Sequence, residues 1–183
     1  VSVTAYAEWA LGASRSVAAP HTVSEIDAAT GAMFARNGWT QAYRGRVAFA
    51  DLGGEQTAWS ADRCEFIGRN GTLNDPAGLA TGAGALPLSG KVGAGLDPCA
   101  ALQCSIELEP GGSAEVVFLL GETDAPEAAR RLIARYRKAD LDAVLAAVTA
   151  FWDETLGVVQ VSTPDRAMDL MLNRWLLYQT LAC

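Results

Sequence analysis

Two short runs concentrate the residues of this chain that could do chemistry. The first is Asp62-Arg63-Cys64-Glu65-Phe66-Ile67-Gly68-Arg69-Asn70-Gly71, and the second is Gly93-Ala94-Gly95-Leu96-Asp97-Pro98-Cys99-Ala100-Ala101-Leu102-Gln103. Carboxylates accept paired hydrogen bonds from vicinal hydroxyls, and a guanidinium fork orients oxygens or phosphate. Asp62, Arg63, Glu65 and Arg69 therefore read as groups that hold a sugar. The same four residues also read as an ion-paired loop that closes a sheet edge. Asp97-Pro98 has the same double meaning, as a binding acid or as a plain turn. Gly93-Ala94-Gly95 does not lie between a strand and a helix, so a nucleotide-phosphate cradle is not indicated.

Other chemistries find less support. Asp153 and Glu154 are neighbours on a helix, about 100° apart, and do not share a face as an acid/base pair would. His21 is the one histidine, and no CxxC pair occurs among Cys64, Cys99, Cys104 and Cys183. A zinc site needs about four closely spaced ligands, so no metal is expected. Cys99 and Cys104 fall on opposite faces of a strand, which predicts free thiols of a reducing compartment. Trp9, Trp39 and Trp59 fall on β segments, either as sugar platforms or, more commonly, as core. Trp175 and Tyr178 belong to a helix, facing a cavity or a neighbouring helix.

These residues need a scaffold, and the pattern supplies one. The chain has 183 residues, half of them hydrophobic, with 14 basic against 21 acidic side chains and a formal charge of −7. That balance argues against nucleic-acid binding, which needs a basic face. No apolar run approaches the roughly 20 residues that span a bilayer, and no signal peptide is recognised at the start. Residues 1–11 alternate as a half-buried strand, and His21–Asp27 with Ala32–Arg36 read as a hairpin. Arg46–Leu52 and Glu55–Ser60 read as a second hairpin around Gly53-Gly54. The stretch 62–98 reads as loop carrying short helices. Residues 99–109 and 114–121 are the last strands, the second apolar enough for a sheet centre.

After these strands the period becomes helical. Pro126–Ala139 carries a stripe of Leu132, Ile133 and Tyr136, and Asp140 caps a helix that runs to Leu156. Val158–Val161 reads as extended. Thr163-Pro164 is expected to open a last helix that buries Met168, Leu172, Trp175 and Leu176. Strands first and helices second predict an antiparallel sandwich followed by a helical element. The first residue is not Met, and the sequence stops without a helix-ending signal, so the chain reads as a piece of a longer protein.

Arg46-Val47-Ala48-Phe49, Asp62–Arg69, Gly95–Gln103, Val161-Ser162-Thr163-Pro164-Asp165, Asn173, Trp175 and Tyr178-Gln179 together resemble glycoside hydrolase family 94. That family of glycoside phosphorylases, formerly glycosyltransferase family 36, includes cellobiose and chitobiose phosphorylases. It also includes the C-terminal phosphorylase-like region of bacterial cyclic β-1,2-glucan synthases. The resemblance implies a mainly β fold: an antiparallel, galactose-mutarotase-like super-sandwich over 1–122, a helical linker over 123–160, and the start of an (α/α)6 barrel over 161–183. It implies an inverting parent enzyme acting on β-glucan, in which inorganic phosphate attacks opposite a carboxylic acid. It implies no cofactor, and it puts the catalytic acid in the barrel, with no match here. Asp62, Arg63, Glu65, Arg69 and Asp97 then become substrate-binding or dimer-loop residues. Implied partners are a β-glucan, a second sandwich in a homodimer and the rest of the parent chain. The region would be cytoplasmic and its parent an inner-membrane protein. The competing reading is a non-catalytic carbohydrate-binding or assembly sandwich.

Overall fold

The computed structural model describes residues 1–80 and 87–182. They form two compact units, Val1–Arg137 and the segment from Lys138 onward. The strands of the first unit are β1 (Ser2–Glu8), β2 (Thr22–Ile26), β3 (Met33–Asn37), β4 (Val47–Asp51), β5 (Ala58–Asp62), β6 (Pro98–Ser105) and β7 (Leu119–Thr123). Short helices α1 (Arg15–Ala18) and α2 (Arg63–Phe66) interrupt them, and α3 (Pro126–Tyr136) follows. One antiparallel sheet has the order β1-β6-β5, the other β2-β3-β4-β7.

The period-2 pattern explains how these sheets stack. Met33, Ala35, Ala48 and Ala50 point one way from the second sheet and meet Ala100, Leu102 and Cys104 of the first. This is the inter-sheet core, sealed at its rim by Trp9. The alternate residues Phe34, Val47 and Phe49 point the other way, onto Ala129 and Ile133 of α3. On the outer face of the first sheet, Cys99 and Ala101 pack under Phe66, Ile67 and Leu88. Central strands buried on both faces lose the polar half of their alternation, and β4 is buried at every position. Cys99 and Cys104 thus serve opposite faces, and with Cys64 they are free thiols. Burial pushes the Cys99 thiol up to about 12, with nearby carboxylates adding to the effect. Cys183 lies outside the described residues.

The expected first hairpin forms, with Thr22 opposite Asn37 and Ile26 opposite Met33. The second does not. β4 pairs with β3 and β7, while β5 pairs with β6 in the other sheet. Gly53 and Gly54, at φ 66° and 85°, turn the chain from one sheet into the other. The run 114–120 is also displaced from its expected place at a sheet centre. Only Leu119–Thr123 is strand, and it is the edge of its sheet, with Leu120 56% exposed. Trp39 sits in a bend after β3, and Trp9 just past β1, so of the three tryptophans only Trp59 is on a strand.

Helix α3 is held to the sandwich by ions as well as by Ile133. Arg137 Nε and Nη2 donate to Asp51 Oδ2 and Oδ1 at 2.9 and 2.6 Å, and Nη2 also donates to the Thr30 carbonyl at 2.7 Å. Gly54 lies against this guanidinium, where a Cβ would come within 3.0 Å of it. Two turns earlier on α3, Arg130 donates through Nε and Nη2 to Asp27 Oδ1 at 2.9 and 2.6 Å.

The second unit contains α4 (Leu141–Leu156) and a continuous run of α5 (Arg166–Leu170), a π turn over Met171–Trp175 and α6 (Leu176–Ala182). Asp140 caps α4 as expected, accepting from the Ala143 N–H at 3.1 Å. The cap of α5 is Asp165 rather than Thr163. Its carboxylate accepts from the Ala167 N–H at 2.8 Å, a stronger acceptor than the Thr163 hydroxyl two residues back. Val158–Val161 is not a strand. Its last residue is clamped instead by the Asn173 side chain, which accepts from Val161 N at 2.7 Å and donates to Val161 O at 2.9 Å. Met168, Leu172, Trp175 and Leu176 are exposed rather than buried. No helix among the described residues is long and apolar enough to cross a membrane.

Candidate functional site

The end of the first sheet near Glu8, Asp62 and Pro98 gathers most of the charged residues of the two sequence motifs. Chain reversal begins there with a β-bulge, where the β5–β6 register shifts between Ser60 and Asp62. A bulge bends the strand and re-aims side chains, a common device beside binding surfaces. Asp62 then caps α2, accepting from the Cys64 N–H at 3.1 Å, and pairs with Lys91. The Arg63 N–H donates to the Asp97 carbonyl at 2.8 Å, tying the two motifs backbone to backbone.

Glu8 is the hub. Its Oε1 accepts from the Tyr6 hydroxyl and from Arg63 Nε, both at 2.9 Å. Arg15 Nε lies 3.0 Å from Glu8 Oε2, close enough for an ion pair though not aligned as a hydrogen bond. Asp97 closes the ring, pairing with Arg15 and lying 3.6 Å from Arg63 Nη1. Two acids and two guanidinium groups thus alternate. Glu65 stands apart from that ring, accepting from the Ser60 hydroxyl at 2.6 Å and the Ser89 N–H at 2.7 Å. The structure brings Asp62, Arg63, Glu65 and Asp97 to one sheet end. Arg69 is left out: it is exposed in the following turn, with no polar partner among the described residues.

The electrostatics of Glu8, Glu65 and Asp27 favour the ionised carboxylate. Burial works to raise Glu8, but hydrogen bonds from Tyr6 and Arg63 and the Arg15 charge outweigh it and hold the carboxyl below its ordinary range. Glu65 is lowered in the same way by Ser60 and Ser89 against burial, and Asp27 by Arg130 and Thr30 against burial. Burial, followed by its bond to Glu8, keeps the Tyr6 phenol protonated well past the usual range. A carboxyl lowered by folding binds its proton less readily in the native state than in the unfolded one. Its stabilising contribution is therefore complete above the ordinary values of 4.5 for Glu and 3.8 for Asp, and is lost as pH falls through the lower folded values. Urea midpoints should be flat from about pH 7 to about pH 5 and drop steeply toward about pH 3. A flat midpoint across the whole range would contradict this account.

Sequence reasoning missed Glu8, Arg15 and Lys91, whose partners lie far along the chain; Glu8 and Arg63 are 55 residues apart. It also missed a cavity of about 1010 Å³ beside the hub. Glu8, Trp9, Leu11, Trp39, Tyr43, Arg46 and Glu122 are among the residues that line it. Arg46 and Glu122 are ion-paired. Among the described residues no group of three or more His, Cys, Asp or Glu could hold a metal ion.

Two face-packed antiparallel sheets with a helix pinned across one of them define a β sandwich. Residues 1–139 match the family model of the glycosyl hydrolase 94 supersandwich domain, and the chain belongs to that family. It is 40% identical over 181 residues to the cyclic beta-(1,2)-glucan synthase NdvB of Rhizobium meliloti, covering 99% of this chain and 6% of that protein. It is 35% identical over 86 residues to the N,N'-diacetylchitobiose phosphorylase of Vibrio proteolyticus, covering 46% of this chain. A 33% match links it to the corresponding enzyme of Vibrio furnissii. The chain spans about a tenth or less of the length of these relatives.

Proposed function

We propose that this chain is the scaffold and loop surface of a larger glycosyltransferase or glycoside phosphorylase that acts on β-glucan with inorganic phosphate as co-substrate. On this reading the catalytic acid is not among these residues. The observation that carries it is electrostatic. A general acid for glycoside cleavage needs a carboxyl whose proton affinity is raised. Glu8, Asp27 and Glu65 are all moved the other way by guanidinium, hydroxyl and N–H donors. At the end of the first sheet, Glu8 and Glu65 are held charged and tie loops together. That suits residues presented to a neighbouring barrel or to a second sandwich in a homodimer. The 40% identity to a cyclic beta-(1,2)-glucan synthase over 99% of this chain supports β-1,2-glucan as the substrate.

The test compares this 183-residue chain with the longer polypeptide that contains it. Each is incubated with β-1,2-gluco-oligosaccharides and phosphate, and release of glucose 1-phosphate is measured. The longer polypeptide should release it and the chain alone should not. Product from the chain alone would show that it holds the acid. The absence of any phosphate-dependent product from the longer polypeptide would remove phosphorolysis from the proposal.

A further inference from the structure

The cavity beside Glu8 has a feature that the ionic ring does not explain. Trp9 lines it and is 4% exposed, yet its indole N–H has no hydrogen-bond partner among the described residues. A buried donor without an acceptor costs roughly 1–3 kcal/mol. Native proteins seldom retain one without a use, such as a water or a ligand that supplies the acceptor.

The rest of the lining specifies what that ligand is. Trp39 is 70% exposed at the mouth, and its ring is fixed by stacking on His21, with centroids 4.5 Å apart and planes within 8°. The Trp39 backbone N–H donates to Asn37 Oδ1 at 3.0 Å, and Asn37 Nδ2 donates to the Leu11 carbonyl at 2.7 Å, so the segments carrying Trp39 and Leu11 are tied together. Tyr43, 49% exposed, adds a second aromatic surface. A held aromatic plane presents an apolar face to the C–H face of a pyranose ring. The charged residues of the lining are already paired, Arg46 with Glu122 and Glu8 with Arg63 and Arg15. Among the described residues, that leaves no uncompensated cation in the lining to draw phosphates, nucleotides or other anions. The lining suits a neutral polyhydroxy ligand, whose hydroxyls donate to carboxylates and accept from guanidinium and indole N–H. The volume, about 1010 Å³, admits more than a single small solute by the usual scale of ligand pockets.

We propose that this cavity is a binding site for neutral glucan: a glucosyl ring stacks on Trp39 and a hydroxyl of the same oligosaccharide accepts the Trp9 indole N–H. The inference rests on the carbohydrate reading above and adds a site on the sandwich itself, separate from any cleavage chemistry.

Titration of the 183-residue chain with a β-1,2-linked glucotriose, followed by calorimetry and tryptophan fluorescence, tests it. Binding with Kd of about 1 mM or tighter is expected. Trp39→Ala should weaken it about tenfold without moving the thermal midpoint, because the side chain is exposed. Trp9→Phe keeps the ring and deletes the unpaired donor. It should weaken binding by roughly 2- to 10-fold while leaving stability equal or higher. Glucose 1-phosphate should bind more weakly than the neutral sugar. No binding at about 10 mM trisaccharide, or binding indifferent to both substitutions, overturns the proposal. Because this readout involves no turnover, its failure leaves the phosphorolysis assay of the longer polypeptide unaffected, and the reverse also holds.

Discussion

Replacing Arg137 with methionine should lower the unfolding free energy of this chain by about 3 kcal/mol, the lower end of what breaking a buried ion pair costs. Asp51 is 0% exposed, and Arg137 answers both of its oxygens while also capping the Thr30 carbonyl. Methionine preserves much of the packing and helix propensity of arginine, so the loss isolates the charge. What remains is a buried carboxylate with Gln56 Nε2, at 3.1 Å, as its one side-chain donor among the described residues. The arginine side chain is itself 24% exposed, so water can partly replace it, which is why the lower end applies. Guanidinium unfolding of the single variant checks the size. The double variant Asp51→Asn with Arg137→Met checks the cause, since removing the stranded charge should recover a substantial part of the loss. A single-variant loss below about 1 kcal/mol would mean that the pair is not what holds α3.

The pair also shows why Gly53-Gly54 was misleading in the sequence. A doubled glycine announces positive φ, and both residues have it. It does not announce whether the strands on either side pair. Here the second glycine leaves room for a guanidinium arriving from residue 137, and the chain leaves one sheet for the other. The first hairpin was legible because Thr30-Gly31 joins strands that share a sheet and whose alternation agrees across the pair. The run 114–120 was misplaced for a related reason. An apolar stretch reports hydrophobicity but not neighbours, and β7 has a partner on one side alone. Within the site, Asp62, Arg63, Glu65 and Asp97 were visible as charges in glycine-containing loops. The hub Glu8 was not, because it is one glutamate at the end of an ordinary strand, and only the approach of α1 and α2 gives it ionic partners.

Phe34→Ala should cost about 3–5 kcal/mol, the usual range for truncating a buried phenylalanine. Phe34 is 0% exposed and stands opposite Phe49 across the β3–β4 pair. Both rings fill the layer between the second sheet and α3, against Val47, Ala129 and Ile133. Rigid strand backbone on one side and a helix pinned at Asp27 and Asp51 on the other leave little freedom to collapse onto the void. The thermal midpoint should fall by roughly 10 °C for a domain of this size. Amide exchange should accelerate through α3 before it does so through β6, whose core contacts lie on the far side of the sheet and do not include Phe34. A second substitution separates the two ways α3 is held. Asp51→Asn removes the charge that Arg137→Met strands, so it should relieve part of that penalty. The Phe34 void is apolar, and Asp51→Asn should leave its penalty unrelieved. If Asp51→Asn relieved both penalties alike, the division of labour between the ionic and apolar fastenings of α3 would be wrong.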